Sequence, residues 1–306
     1  MRMLRSIPTL AACLLAFSSS VLSAAPIDLN DGQHAVHLPD APKRVVVLEF
    51  SFLDSLAAVD VTPVGAADDG DANRVLPRVR QAIGQWQSVG LRSQPSIEEI
   101  ARLKPDLIVA DLNRHQALYS DLASIAPTLL LPSRGEDYQG SLKSAELIGK
   151  ALGKGPQMQA RIAQNRDNLK KIAAQIPAGT NVLFGVARED SFSVHGPDSY
   201  AGSVLQAIGL KVPAVRANAA PTEFVSLEQL LALDPGWLLV GHYRRPSIVD
   251  SWSKQPLWQV LGAVRHQQVA EVDGDSWARN RGVLASEQIA EDALAILKGG
   301  KAVLSQ

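Results

Sequence analysis

Guanidinium groups recur in this chain at one kind of place, the few residues after a short apolar run rich in β-branched side chains. Arg114 follows IVADLN, Arg134 follows LLLPS, and Arg188 follows VLFGVA. Arg244 and Arg245 follow LLVGHY, while Arg279 and Arg281 follow VAEVDGDSWA. Arg92 sits in SVGLRSQPS, just ahead of a helix start, and Lys is nearly absent from all these loops. Guanidinium is a planar, weakly hydrated fork that matches a carboxylate with two hydrogen bonds, where an ammonium offers a compact point charge. Several arginines converging from separate loops describe a site for a polycarboxylate or another multiply charged anion. One loop arginine alone is ordinarily a solvated surface residue. The expectation therefore rests on recurrence across six loops, and Arg244 and Arg245 are expected to split between site and surface. Trp277, two residues before Arg279, is expected either on a cleft wall that packs on a ligand or as a half-buried rim aromatic.

Other chemistries have weaker claims. The chain has no GxSxG elbow, no P-loop and no GxGxxG opening a helix. An exported hydrolase of anionic esters would need a pair such as Ser199 with His195, yet GPDSYAG lacks the glycines of an elbow. No enzyme is expected. His34 and His37 precede the first strand and are expected at the surface, whereas His115, His195 and His242 fall on candidate cleft loops. None belongs to an HExxH or a carboxylate–His set at fixed spacing, so no protein-held metal is expected.

A segment written twice, 130 residues apart, shows what positions the arginines. Ser96–Ala110 reads SIEEIARLKPDLIVA and Ser226–Val240 reads SLEQLLALDPGWLLV. In each copy the Ser can cap a helix, and Glu98 or Glu228 stands in the first turn, where the macrodipole favours negative charge. Pro105 or Pro235 then stops the helix, and an apolar run supplies a buried strand. Arg114 and Arg244 keep the same offset beyond the repeat. One recurrence at so long a period is no solenoid. It implies two similar α/β lobes with a cleft between them. Helix-dipole stabilisation of about 0.3–1 kcal/mol accounts for either Glu taken singly. Equivalent glutamates on equivalent helices also form a two-point acidic surface suited to a partner with pseudo-twofold symmetry.

The remaining chain alternates in the same way. Strands are expected at 45–48, 62–66, 107–110, 128–131, 181–186 and 268–272, with helices at 53–59, 118–125, 203–208, 257–264 and 286–297. Such alternation gives an α/β fold whose sheets are mainly parallel and covered by helices on both faces. Residues 138–176 carry no strand signal and place Met158, Ile162, Leu169 and Ile172 at helical spacing. Gly153, Gly155 and Pro156 divide this stretch into two helices. The second, at about 20 residues and ~30 Å, reads as a rigid strut. The expected boundaries are an amino-terminal lobe at 25–153, a bridging helix at 154–177 and a second lobe at 178–306.

Residues 1–24 have the layout of a signal peptide: Arg2 and Arg5, an apolar run from Leu10 to Phe17, then small residues before cleavage near residue 24. Leu10-Ala11-Ala12-Cys13 also has the form of a lipoprotein box, but the apolar run continues beyond Cys13 rather than preceding it. A soluble periplasmic product is expected. Without the leader, the chain keeps 28 basic residues against 31 acidic and loses its one Cys. That composition excludes a disulfide framework and argues against general nucleic-acid binding.

PKRVVVLEFSFLDSLAAVDVTPVG, WQSVGLRSQPSIEEIARLKPDLIVAD, SLEQLLALDPGWLLVGHYR and the DSWARNRG loop together give the chain a resemblance. It resembles the periplasmic substrate-binding proteins that feed iron–siderophore ABC importers, above all their ferric citrate-binding members. The resemblance implies two Rossmann-like lobes joined by one long helix that bends little. It also implies that Arg92 meets the anionic ligand while Trp277 and Arg279 line the opposite wall. Glu98 and Glu228 match the family's docking glutamates, which meet arginines on the two subunits of an inner-membrane permease. Hydroxamate- and cobalamin-binding relatives place more aromatics in the cleft, where this chain has Asn113–Arg114 and Arg244–Arg245, so iron(III) dicitrate is the expected cargo. Its iron would be held by citrate, with no resident cofactor and a monomeric receptor. Free citrate, another carboxylate siderophore and haem remain the alternatives.

Overall fold

The computed structural model describes residues 26–299, so the leader with Cys13 and the last seven residues lie outside the described residues. Two five-stranded sheets organise the chain. The first has the order Gln87–Ser88, Gly65–Ala66, Val45–Val47, Leu107–Asp111, Thr128–Leu131, all parallel. The second has the order Thr222–Phe224, Phe192–His195, Val182–Ala187, Trp237–His242, Val269–Asp273. Its last three strands are parallel, and Phe192–His195 runs against both its neighbours. The central strands VVV, LIVAD and VLFGVA are buried along their whole length. Their unbroken apolar character follows from helices on both faces. Phe192–His195 and Thr222–Phe224 escape the sequence reading because they are short and interrupted by polar residues.

The repeated segment forms the helices Ile97–Arg102 and Leu227–Leu233, each followed by the fourth strand of its sheet. Ser96 Oγ accepts the Glu99 amide at 3.2 Å, and Ser226 Oγ accepts that of Gln229 at 3.3 Å. Each helix is followed by a left-handed residue directly before the proline, Lys104 (φ 45°) and Asp234 (φ 35°). This turn redirects the chain into the strand.

Between the sheets in sequence come the helices Tyr138–Ala151 and Gly155–Ala173, the latter 19 residues long. Met158, Ile162, Asn165, Leu169 and Ile172 form its buried stripe. Gly149 lets the two helices approach, since a methyl group there would stand 2.5 Å from Met158 Cβ. Polar contacts lock the strut to the terminal helix Val283–Leu297: Arg161 forks onto Glu287 at 2.9 and 2.7 Å, and Asn165 Nδ2 donates to the Val283 carbonyl at 2.9 Å. The first lobe grips the same helix end. Asp54, on the fully buried helix Phe50–Ala57, accepts the amides of Val283, Leu284 and Ala285 at 2.6, 3.0 and 2.8 Å. Gly282 (φ 128°) is required there, because a side chain would run into that carboxylate.

Candidate functional site, an arginine-lined cleft

The parallel strands of both sheets point their carboxyl ends at one cleft, the place where ligands enter open α/β folds. Beyond the five strands of the first sheet stand Glu49, Asp69, Arg92, Arg114 and Arg134 in sequence order. The second sheet contributes Arg188 after Val182–Ala187, Tyr243 after Trp237–His242, and Arg279 and Arg281 after Val269–Asp273. Between them lies a cavity of about 360 Å³. Arg92, Arg114, Arg134, Arg188, Arg279 and Arg281 all line it, together with Tyr243, Phe224 and His195.

The six guanidinium groups are not equivalent. Arg92 is buried and already occupied: Nη2 is 2.8 Å from Asp69 Oδ2, and Nη1 is 3.3 Å from Glu49 Oε2. Its guanidinium also stacks on Phe50, 3.8 Å from the ring centre. Arg114 Nε lies 2.6 Å from Glu49 Oε1, and Arg279 Nε lies 2.6 Å from Asp275 Oδ1. Arg134, Arg188 and Arg281 have no carboxylate within 4.0 Å among the described residues. Arg188 Nη1 is buried with no hydrogen-bond partner among them. Burial draws the Arg281 guanidinium pKa down, nearby Glu49 opposing and Arg92 reinforcing the shift. Arginine stays protonated, so the shift reports a charge held away from water. Tyr243 stands between Arg188 and Arg279, whose guanidinium carbons are 5.1 and 4.0 Å from its ring centre.

Two expected site residues do not line this cavity. Trp277 is 1 % exposed. It is neither wall nor rim, because it faces inward from the helix Gly274–Arg279, with Nε1 donating to Asp292 Oδ2 at 3.0 Å and Phe184 5.1 Å away. It reaches only a smaller pocket of about 140 Å³ behind the cleft. Arg244 does not line the main cavity either. Tyr243 takes the inward position, while Arg244, in the bend after the strand, is 79 % exposed and 3.9 Å from Glu189, bordering an adjoining cavity of about 330 Å³ with Arg188, Tyr243 and Arg279. Arg245 pairs with Asp250 and Glu271.

His115 serves the scaffold. His115 Nδ1 accepts the Asp111 amide at 2.9 Å, and its Nε2 faces the Arg92 carbonyl at 2.7 Å. The ring is thus the neutral Nε2–H tautomer holding the Arg92 loop, and burial lowers its pKa. His195 lies against Phe184, and burial together with Arg281 and Arg188 pulls it down to about 3. Ser199 caps the helix Tyr200–Ala207 by accepting the Gly202 amide, while its own hydroxyl donates to the Gly196 carbonyl. Among the described residues, no group of three His, Cys, Asp or Glu converges as metal ligands would. No helix there is long and apolar enough to cross a membrane.

Glu49, Asp69, Tyr243 and Phe224 were missed by sequence reasoning. Position alone offered a signal for Glu49, Asp69 and Tyr243, which follow strands as the arginines do, whereas Phe224 ends the short strand Thr222–Phe224. Glu98 and Glu228 are exposed in the first turns of their helices.

A family model described as Periplasmic binding protein matches residues 45–276. The chain belongs to that family. Among curated relatives, this periplasmic binding protein is 50% identical to the Fe(3+) dicitrate-binding periplasmic protein FecB of Escherichia coli (strain K12), over 96% of this chain and 97% of the relative. It is 40% identical to the Fe(3+)-citrate-binding protein YfmC of Bacillus subtilis (strain 168), over 87% and 84%. The structure of Staphylococcus aureus SirA complexed with staphyloferrin B shares the fold, with a TM-score of 0.76 at 23% identity over 89% of this chain and 98% of that one.

Proposed function

We propose that this periplasmic binding protein is the soluble receptor for iron(III) dicitrate, which it binds in the arginine-lined cleft and delivers to an inner-membrane ABC permease for iron uptake. The chain is exported and its leader removed near residue 24. The observation that carries the ligand assignment is the buried, unpartnered Nη1 of Arg188. With Arg281 and Arg134 it makes three guanidinium groups that lack a carboxylate among the described residues, around one cavity. Relatives at 50% and 40% identity that carry ferric citrate in their names support the same ligand.

The mechanism is binding without bond-making. Citrate carboxylates and alkoxides fill the iron coordination sphere, so the protein supplies no metal ligand and reads only the outer anionic oxygens. Each charge-assisted hydrogen bond contributes about 1.5–3 kcal/mol. Three or four reach the roughly −8 kcal/mol of micromolar affinity. Tyr243 and Phe224 supply flat apolar surface beside the charges. The neutral His195 and the capping role of Ser199 favour a receptor over a hydrolase.

A calorimetric titration of the ligand-stripped mature protein tests this reading. Saturable binding of ferric citrate at micromolar concentration or below, absent with ferrichrome, is expected. Equal binding of iron-free citrate would restrict recognition to the carboxylate shell, and a Soret shift with haemin but no ferric citrate binding would overturn the assignment.

A further inference from the structure

The first-lobe wall of the cleft holds anions of its own. Glu49 is 1 % exposed. It lies between two cleft guanidinium groups, 3.3 Å from Arg92 Nη1 and 2.6 Å from Arg114 Nε. Arg92 also directs Nε and Nη2 to Asp69 at 3.1 and 2.8 Å. The other charges facing Glu49 are Asp111 on its own lobe and Arg281 from the opposite one. His115 holds the Arg92 carbonyl in its neutral form, and Phe50 covers the guanidinium face. Arg74 pairs with Asp69 as well, at 2.8 Å, so both carboxylates of this wall are already engaged by guanidinium groups before any ligand arrives.

A polycarboxylate brings new negative charge to those same guanidinium groups, beside a carboxylate that water cannot solvate. Ionised, Glu49 would compete with the ligand for Arg114 and repel it at short range. Resting on the reading of the cleft as a polycarboxylate site, we propose that Glu49 takes up one proton when the anion binds, releasing Arg114 and Nη1 of Arg92 toward the ligand. The proton comes from bulk solvent and ends on a Glu49 carboxyl oxygen, so binding removes it from the buffer. Burial already raises the Glu49 pKa, opposed by Arg92 and Arg114, and a ligand that occupies those arginines raises it further. A group that gains a proton on binding makes affinity rise as pH falls, by up to about tenfold per pH unit. Glu49 is a positioning residue here, acting through the two arginines.

Titration of ferric citrate at one pH, in two buffers of different ionisation enthalpy, counts the protons. Wild-type protein is expected to take up more protons than Glu49→Gln, by up to one per ligand. Its affinity should tighten with falling pH relative to that of the variant. The carboxyl groups of ferric citrate and of Glu136, which borders the adjoining pocket, are common to both proteins and cancel in the comparison. If Glu49→Gln does not fold, infrared difference spectra of wild-type protein carrying ¹³C-carboxyl glutamate serve instead, a protonated-glutamate band growing in as ligand is added. Equal proton uptake in both proteins, or no such band, overturns the proposal. Failure of wild-type protein to bind ferric citrate at all overturns the polycarboxylate reading of the cleft instead.

Discussion

Arg188 and Arg281 differ from Arg92 in what already occupies them. Replacing either of the first two removes a guanidinium without stranding a carboxylate. Arg188→Ala and Arg281→Ala should each weaken ferric citrate binding by at least about tenfold, the loss of one charge-assisted hydrogen bond, with melting temperatures close to wild type. Arg92→Ala leaves Glu49 and Asp69 facing a gap in a buried site, and breaking such a pair costs about 3–5 kcal/mol. Its expected signature is a lower melting temperature together with weaker binding. Calorimetry paired with thermal melts reads both, and an Arg92→Ala variant of wild-type stability would show that Arg92 does not hold Glu49 and Asp69 in place. Sequence alone named all six arginines that line the cavity, five because arginine soon after an apolar strand run is a local pattern and Arg92 because it stands just ahead of the repeated helix. It could not show that two of them pair with Glu49, since that carboxylate lies 43 residues before Arg92. The misplacement of Trp277 has a similar origin: residues two apart on a helix face nearly opposite ways, so Arg279 can line a cavity while Trp277 enters the core.

At the scale of elements, the decisive junction is the start of the terminal helix. Its first amides would be orphaned in a dry interior, and Asp54 of the first lobe accepts three of them. Asp54→Ala should destabilise the protein by about 2–4 kcal/mol, more than an ordinary surface cap, because buried donors are left unpaired. Urea unfolding measures it, and a loss below about 1 kcal/mol would show that the junction is held elsewhere. Burial raises the Asp54 pKa from 3.8 to about 7, the three amides opposing. The folded state therefore keeps a proton that the unfolded chain releases from about pH 4 upward. This contribution to stability is complete below 3.8 and is lost as pH rises towards about 7. The melting temperature of Asp54→Asn should fall less across that window than that of wild type, and equal slopes would contradict the assignment. Apolar periodicity marked Met158, Ile162, Leu169 and Ile172 as the buried stripe, and all four are buried. It could not reveal the Asp54 contact, whose partners lie about 230 residues further on.

For the whole molecule, the repeat carries the architecture. The same capped helix, left-handed turn and strand take the same place in both sheets, which is why two lobes were legible from one recurring segment. The antiparallel edge of the second sheet was not, because Phe192–His195 and Thr222–Phe224 are only 4 and 3 residues long and polar residues interrupt both. The strut and the Asp54 junction tie both lobes to one terminal helix, so we expect ligand capture with only small closure. Glu98 and Glu228 are exposed on equivalent helices, and we propose that they dock on a two-part permease. Glu98→Ala combined with Glu228→Ala should abolish ferric citrate uptake in cells while leaving affinity in solution intact. Normal uptake by that double variant would defeat the docking role.

Ferric citrate is expected in the cleft between the lobes, and the iron itself can report that location. Crystals of the mature protein grown with ferric citrate, measured at the iron absorption edge, should show one anomalous peak in the cavity between Arg188, Arg281 and Arg134, with citrate oxygens between metal and guanidinium. An iron peak outside the cleft, or one ligated directly by protein side chains, would contradict the account.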